Sequence, residues 1–208
     1  MRHLADAWLR HCAAVGARGD VAGAGADLLV RYAEPHRGYH DLAHLDEVLR
    51  HVDALAEEAE DVDAVRLAAW FHDAVYDPTA TDNEEESARL AAKTLIGLRV
   101  PDGTVERVAD LVRLTADHDP GEDRDGAVLC DADLAVLASE DLRYSTYVDG
   151  VRREYAHLDE PSFARGRARV LRSLLDHPSL FRTGHGRAVW EEPARRNIRA
   201  ELESLDRG

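Results

Sequence analysis

His72 and Asp73 stand side by side in Leu67-Ala-Ala-Trp-Phe-His-Asp-Ala-Val-Tyr-Asp77, at the end of an otherwise apolar run. A carboxylate in such surroundings needs a partner, because an unpaired charge in an apolar interior is costly. An ion pair, a hydrogen-bonded network or a metal ion can supply it. Neighbouring residues on a helix diverge by about 100°, yet two side chains of this length at a helix end can converge on one ion.

Three other segments offer groups of the same chemistry. In residues 32–44, His40 and His44 are four apart and can share a face across a helix start. In residues 127–138, Asp131 and Asp133 interrupt an apolar helical run. Being about 200° apart on a regular helix, only one of the two can enter a shared cluster. Asp133, beside Leu134 and Leu137, is the inward candidate, and Asp131 is left to cap, pair or face water. His118 follows the next helical stretch, and Glu84, Glu85 and Glu86 make an acidic first turn. Acids there are ordinary helix-dipole chemistry, but Glu84, Glu85 or His118 can orient water or shuttle a proton. Arg37 and Arg152 are the candidate anion handles.

These residues must be carried by helices. Leu4, Ala7, Trp8, Cys12 and Val15 line one face over residues 2–15, and Asp20 can cap a second helix to about Ala33. Asp41 is placed to cap a helix from Leu42 to about Glu60, whose apolar stripe adjoins His44. Asp61 or Asp63 starts the central helix, and Thr81 or Asp82 caps one reaching Gly97. Further helices are expected over 102–114, 127–138, 141–158, from Pro161 to Pro178, and from Pro193 onward, with 119–126 as a surface turn. No series of β-branched strands and no internal repeat is present. The pattern predicts one compact all-α domain over residues 1–208.

Composition narrows the partners. The formal charge of −15, from 41 acidic against 26 basic residues, argues against nucleic-acid polymers and anionic membranes, both of which reward positive charge. A small anionic substrate then requires a locally positive pocket, built from metal with Arg37, His118 and Arg152. Cys12 and Cys130 are too few for a disulfide scaffold, and no stretch approaches the roughly 20 apolar residues of a membrane helix. A reduced cytoplasm is the expected location, and self-association is left open.

Taken in order, Tyr39-His40 with His44, Phe71-His72-Asp73-Ala-Val-Tyr76, Asn83-Glu84, Asp131-Ala-Asp133-Leu134 and Arg152-Arg-Glu-Tyr155 resemble the HD-domain superfamily, specifically its small group of metal-dependent phosphohydrolases. The resemblance extends through Gly166-Arg167 and Ala194-Arg-Arg-Asn197. It implies an HD-like helical bundle in which His44, His72, Asp73 and Asp133 bind a divalent ion that activates water against phosphorus. The further histidines of two-metal relatives are not matched, so one ion is expected, its identity open among Mn, Co, Ni, Mg, Zn and Fe. The implied substrate is a nucleotide or another small phosphorylated metabolite. A non-catalytic module sensing such a ligand, and an iron-dependent oxygenase, are the alternative readings.

Overall fold

The computed structural model describes residues 2–207. Asp20, Asp41, Asp61, Asp123 and Asp159 each accept a backbone N–H in the first turn of a helix, which is why so many segments begin at an aspartate. The helices are α1 (Arg2–Ala14), α2 (Val21–Tyr32), α3 (Leu42–Ala54), α4 (Val62–Phe71), α5 (Asn83–Gly97), α6 (Asp102–Leu114), α7 (Arg124–Leu134), α8 (Asp141–Glu154), α9 (Glu160–Asp176) and α10 (Glu191–Leu205). Short 3-10 turns follow α3 and α7, and a π turn over Gly186–Trp190 leads into α10. No strand occurs among the described residues, and none of their helices is long and apolar enough to cross a membrane. The result is a compact all-α bundle.

Two apolar clusters hold it together. The first joins α1 to α7, with Trp8, Trp70 and Phe71 fully buried and packed edge to face. The second joins Tyr39, Val136 and Leu137 to Tyr147, Phe163, Leu171, Phe181 and Ile198 of the C-terminal half. Trp190 packs against both. His44 and His72 belong to elements of the first cluster, and α7 runs from the first into the second. The seam between the clusters is therefore where the polar residues of the apolar runs meet.

Several helices end elsewhere than their patterns predict, each for a visible reason. The apolar run through Asp77 stops being helical at Phe71, because the Asp73 and Ala74 carbonyls turn to accept from the Arg37 guanidinium at 2.8 and 3.5 Å. α3 stops at Ala54 rather than near Glu60, and the Glu60 and Asp61 N–H groups donate to buried Asp125, turning the chain into α4. α7 starts within the expected surface turn, where Asp123 caps Gly126 and is itself held by Arg107. α8 ends at Glu154 because Arg152 takes the carbonyls of Tyr155 and Leu158. α10 begins two residues before Pro193, a position in the first turn that proline tolerates.

Candidate metal centre

His44 enters on the first turn of α3, whose cap at Asp41 accepts from the Ala43 and His44 N–H groups. His72 is the residue that ends α4, and Asp73 lies in the turn just beyond it. Asp133 comes from the last turn of α7. Both imidazoles are 1 % exposed, and the two carboxylates are mostly buried.

One ligand atom from each of the four lies within 4.8 Å of all the others. His44 Nε2 is 3.1 Å from His72 Nε2, 3.1 Å from Asp133 Oδ1 and 3.3 Å from Asp73 Oδ2. His72 Nε2 is 3.0 Å from Asp73 Oδ2 and 3.5 Å from Asp133 Oδ1. Bonds of about 2.1 Å to one ion place adjacent donors of an octahedron about 3.0 Å apart and opposite ones about 4.2 Å apart. The spacing fits a single divalent ion. The tautomer fits as well, since His72 Nδ1 donates to the Ala69 carbonyl at 2.9 Å and leaves Nε2 as the lone-pair nitrogen.

The electrostatics point the same way. Burial opposes charge on all four groups, but their mutual contacts win. Asp73 is held well below the usual carboxylate range by His72 and His40, and Asp133 by hydrogen bonds from His118, His44 and His72. His72 is correspondingly pushed well above the ordinary imidazole value, against burial, by Asp73 and its other neighbours, so a dication gains the Nε2 lone pair by displacing a proton. Two anions and two nitrogen donors in a largely dry site make a set that a dication completes.

The HD domain of known families matches residues 41–148, slightly more than half the chain. This protein belongs to the HD-domain family. Within that HD domain lie all four donors, and they form a buried His-His-Asp-Asp cluster able to coordinate one divalent ion. No curated protein and no solved structure matches the chain.

Around the HD-domain cluster the other sequence candidates fall in different places. His118 Nε2 lies 2.8 Å from Asp133 Oδ2, so this residue braces the ligand from the second layer. Its backbone has φ of 50°, a left-handed conformation uncommon for a residue with a side chain, stored beside the site. Arg37 has a fully buried side chain that donates to the carbonyls of His40 and Asp73, both at 2.8 Å, and lies over the rings of Tyr32 and Tyr76. It ties the two ligand-bearing turns together. Arg152 is taken up by Glu160 and by the end of α8, and lies over the ring of Phe163. Glu85 pairs with Arg89 and Arg113 at the surface. Glu84 is half-buried and adds the smallest contribution to a Tyr155 hydroxyl pKa raised chiefly by burial and by Glu154. Asp131 is fully buried and accepts from the Arg182 and Thr183 N–H groups and the Thr183 hydroxyl, so of the two neighbouring aspartates Asp133 is the one in the cluster.

Glu154 stands in the Arg152-Arg-Glu-Tyr155 segment of the resemblance, which gives it no role of its own. Its Oε1 accepts the N–H groups of Gly38, Tyr39 and His40 at 2.8–2.9 Å, and its Oε2 lies 2.8 Å from both His40 Nδ1 and the Tyr76 hydroxyl. Burial by itself raises this carboxyl, but those hydrogen bonds bring it down to about 2. The sequence signals were its place in that segment and a glutamate on the apolar side of α8. The turn that it holds also touches α8 through backbone: a Cβ on Gly38 would meet the Gly150 carbonyl oxygen at 2.3 Å.

Proposed function

We propose that this chain is a metal-dependent phosphohydrolase that cleaves a phosphoester in a small phosphorylated metabolite or nucleotide. The observation that carries the reading is the convergence of two imidazole nitrogens and two carboxylate oxygens beside a cavity lined in part by His118 and Asp133. A divalent ion held there supplies Lewis acidity toward a phosphoryl oxygen and lowers the pKa of water.

The chain's own residues do the remaining work. His44 and His72 fix the ion with neutral nitrogens, while Asp73 and Asp133 offset its charge without excluding an anionic substrate. His118, about a quarter exposed and bonded to Asp133, is assigned to orienting water and moving a proton at the cavity wall. Glu84 is the next candidate for that role, ahead of Glu85, whose carboxylate two arginines already hold. We assign Arg37 to positioning the ligand turns and Arg152 to positioning the α8–α9 connection that borders the cavity. Positive potential for phosphate then comes from the ion itself in a chain of net charge −15.

Phosphate release from a panel of phosphorylated metabolites, with Mn, Co, Ni, Mg, Zn and Fe supplied separately, tests this. Metal-dependent release above that of a His72→Ala/Asp73→Ala double variant is the expected result. If no condition exceeds that variant while a phosphorylated ligand still binds, the protein is a sensing module instead.

A further inference from the structure

The cavity beside the metal cluster has a volume of about 470 Å³, within the range of roughly 300–1,000 Å³ common for small-molecule sites. His118 and Asp133 line it on the side of the cluster, and beyond them its walls are largely apolar, interrupted by His40, Arg167, Arg169 and the tyrosines Tyr39, Tyr147 and Tyr155. Leu134 and Leu137 come from the end of α7 and the turn after it, Val151 from α8, and Phe163, Val170 and Leu174 from α9. The last three recur at helical spacing on one face of α9, so a whole helix side faces the cleft.

Most of the polar groups among these walls are already engaged. His118 holds Asp133, His40 holds Glu154, and Arg167 is bound to Glu201 at 2.7 Å and to the Tyr147 hydroxyl at 2.8 Å. Among the lining residues, the buried Tyr39 hydroxyl lacks a hydrogen-bond partner, and exposed Arg169 makes no ion pair among the described residues. A nucleoside in this cleft would bring several ring nitrogens and sugar hydroxyls against walls with few unengaged polar groups, such as the Tyr39 hydroxyl and Arg169, too few to answer them all, and buried unanswered polar groups are costly. An alkyl or aryl group meets no such penalty.

Resting on the phosphoester reading for its head group, we propose that the substrate is amphiphilic: a phosphomonoester whose leaving group carries an apolar body seated between α8 and α9. The phosphate lies toward Asp133 and His118, and the apolar body extends along Leu134, Val151 and Phe163. Gly166 provides the means to test this, because it lines the cleft and a Cβ built on it meets no atom within 4 Å. Gly166→Leu puts a branched side chain into the cleft at a helix position where leucine is the better helix former.

The experiment is calorimetric titration of the full-length protein, with Mn²⁺ present, by ethylphosphonate and octylphosphonate, neither of which can be hydrolysed as an ester. Each methylene removed from water should tighten binding about fourfold, so with partial burial octylphosphonate should bind at least about 30-fold tighter than ethylphosphonate. In Gly166→Leu that ratio should fall below about threefold, with metal content and melting temperature retained. A ratio near one in the natural protein, or one that Gly166→Leu leaves unchanged, overturns the proposal. If Gly166→Leu does not fold, Val170→Asp decides by the same ratio, since Val170 is 51 % exposed at the cleft and tolerates a charge. Phosphate release from octyl phosphate, measured in parallel, separates the two readings. A chain-length ratio without release removes the hydrolase and leaves the apolar subsite, whereas release without a ratio does the reverse.

Discussion

Glu154 Oε2 lies 2.8 Å from His40 Nδ1, joining residues 114 positions apart. The same carboxylate gathers three consecutive N–H groups with its other oxygen, so the turn that precedes His44 is shaped from α8 rather than by its own sequence. Glu154→Gln keeps the side-chain shape and removes the charge. Hydrogen bonds to a charged group contribute roughly 1.5–3 kcal/mol each in such settings, so the variant should lose on the order of 2 kcal/mol or more in urea unfolding.

The pH dependence of that loss has a definite sign. The Glu154 carboxyl sits at about 2 in the folded chain against an ordinary 4.5, so the folded state binds the proton less readily than the unfolded one. Its stabilisation is therefore complete above about pH 4.5 and is lost progressively as pH falls toward 2. Unfolding free energies measured between pH 5 and 2.5 should fall more steeply for the natural protein than for Glu154→Gln. Parallel curves would show that the carboxylate is not the group responsible.

Arg37 is buried and spans the His40, Asp73 and Ala74 carbonyls at once. A lysine keeps the charge but lacks the planar fork that reaches all three. Arg37→Lys should weaken metal affinity by about 10- to 100-fold, the usual cost of losing a group that orients ligands, while the protein still folds. Competition with a fluorescent chelator measures it, and unchanged affinity would reduce Arg37 to a packing residue.

His118 combines a left-handed backbone with a 2.8 Å contact to Asp133. Glycine accepts that conformation without strain, so His118→Gly should be as stable as the natural protein or slightly more so. Its phosphate release should nonetheless fall by about 100-fold, in line with the loss of a group that transfers protons. His118→Ala should lose as much activity and be less stable than the glycine variant. Equal activity in all three proteins would remove His118 from the reaction.

The donor set was largely legible because its members violate their surroundings. His72, Asp73 and Asp133 are polar interruptions of apolar helical runs, and His44 adjoins a strong apolar stripe. The starts of α2, α3 and α4 were legible through Asp20, Asp41 and Asp61, whereas Asp82 makes no side-chain cap, the Asp123 and Asp159 caps were not anticipated, and helix ends were not legible. They are decided by distant partners such as Arg37 on the Asp73 carbonyl and Asp125 on the Glu60 N–H, which no local pattern announces. The same limit hid Glu154, since a single glutamate on a helix looks like a solvated charge until the turn it binds is folded against it. Arg37 and Arg152 read as free cations from sequence for the converse reason: the carbonyls that engage them are exposed only where helices stop.

The claim that His44, His72, Asp73 and Asp133 hold one catalytic ion is tested most directly by a single titration. Chelator-stripped protein is titrated with Mn²⁺ while bound metal and phosphate release are followed in the same sample. Release should rise with occupancy and reach its plateau at one equivalent per chain, and His72→Ala and Asp133→Ala should each abolish both signals. A plateau at two equivalents, or stoichiometric metal retained after His72 and Asp133 are both replaced, would contradict it.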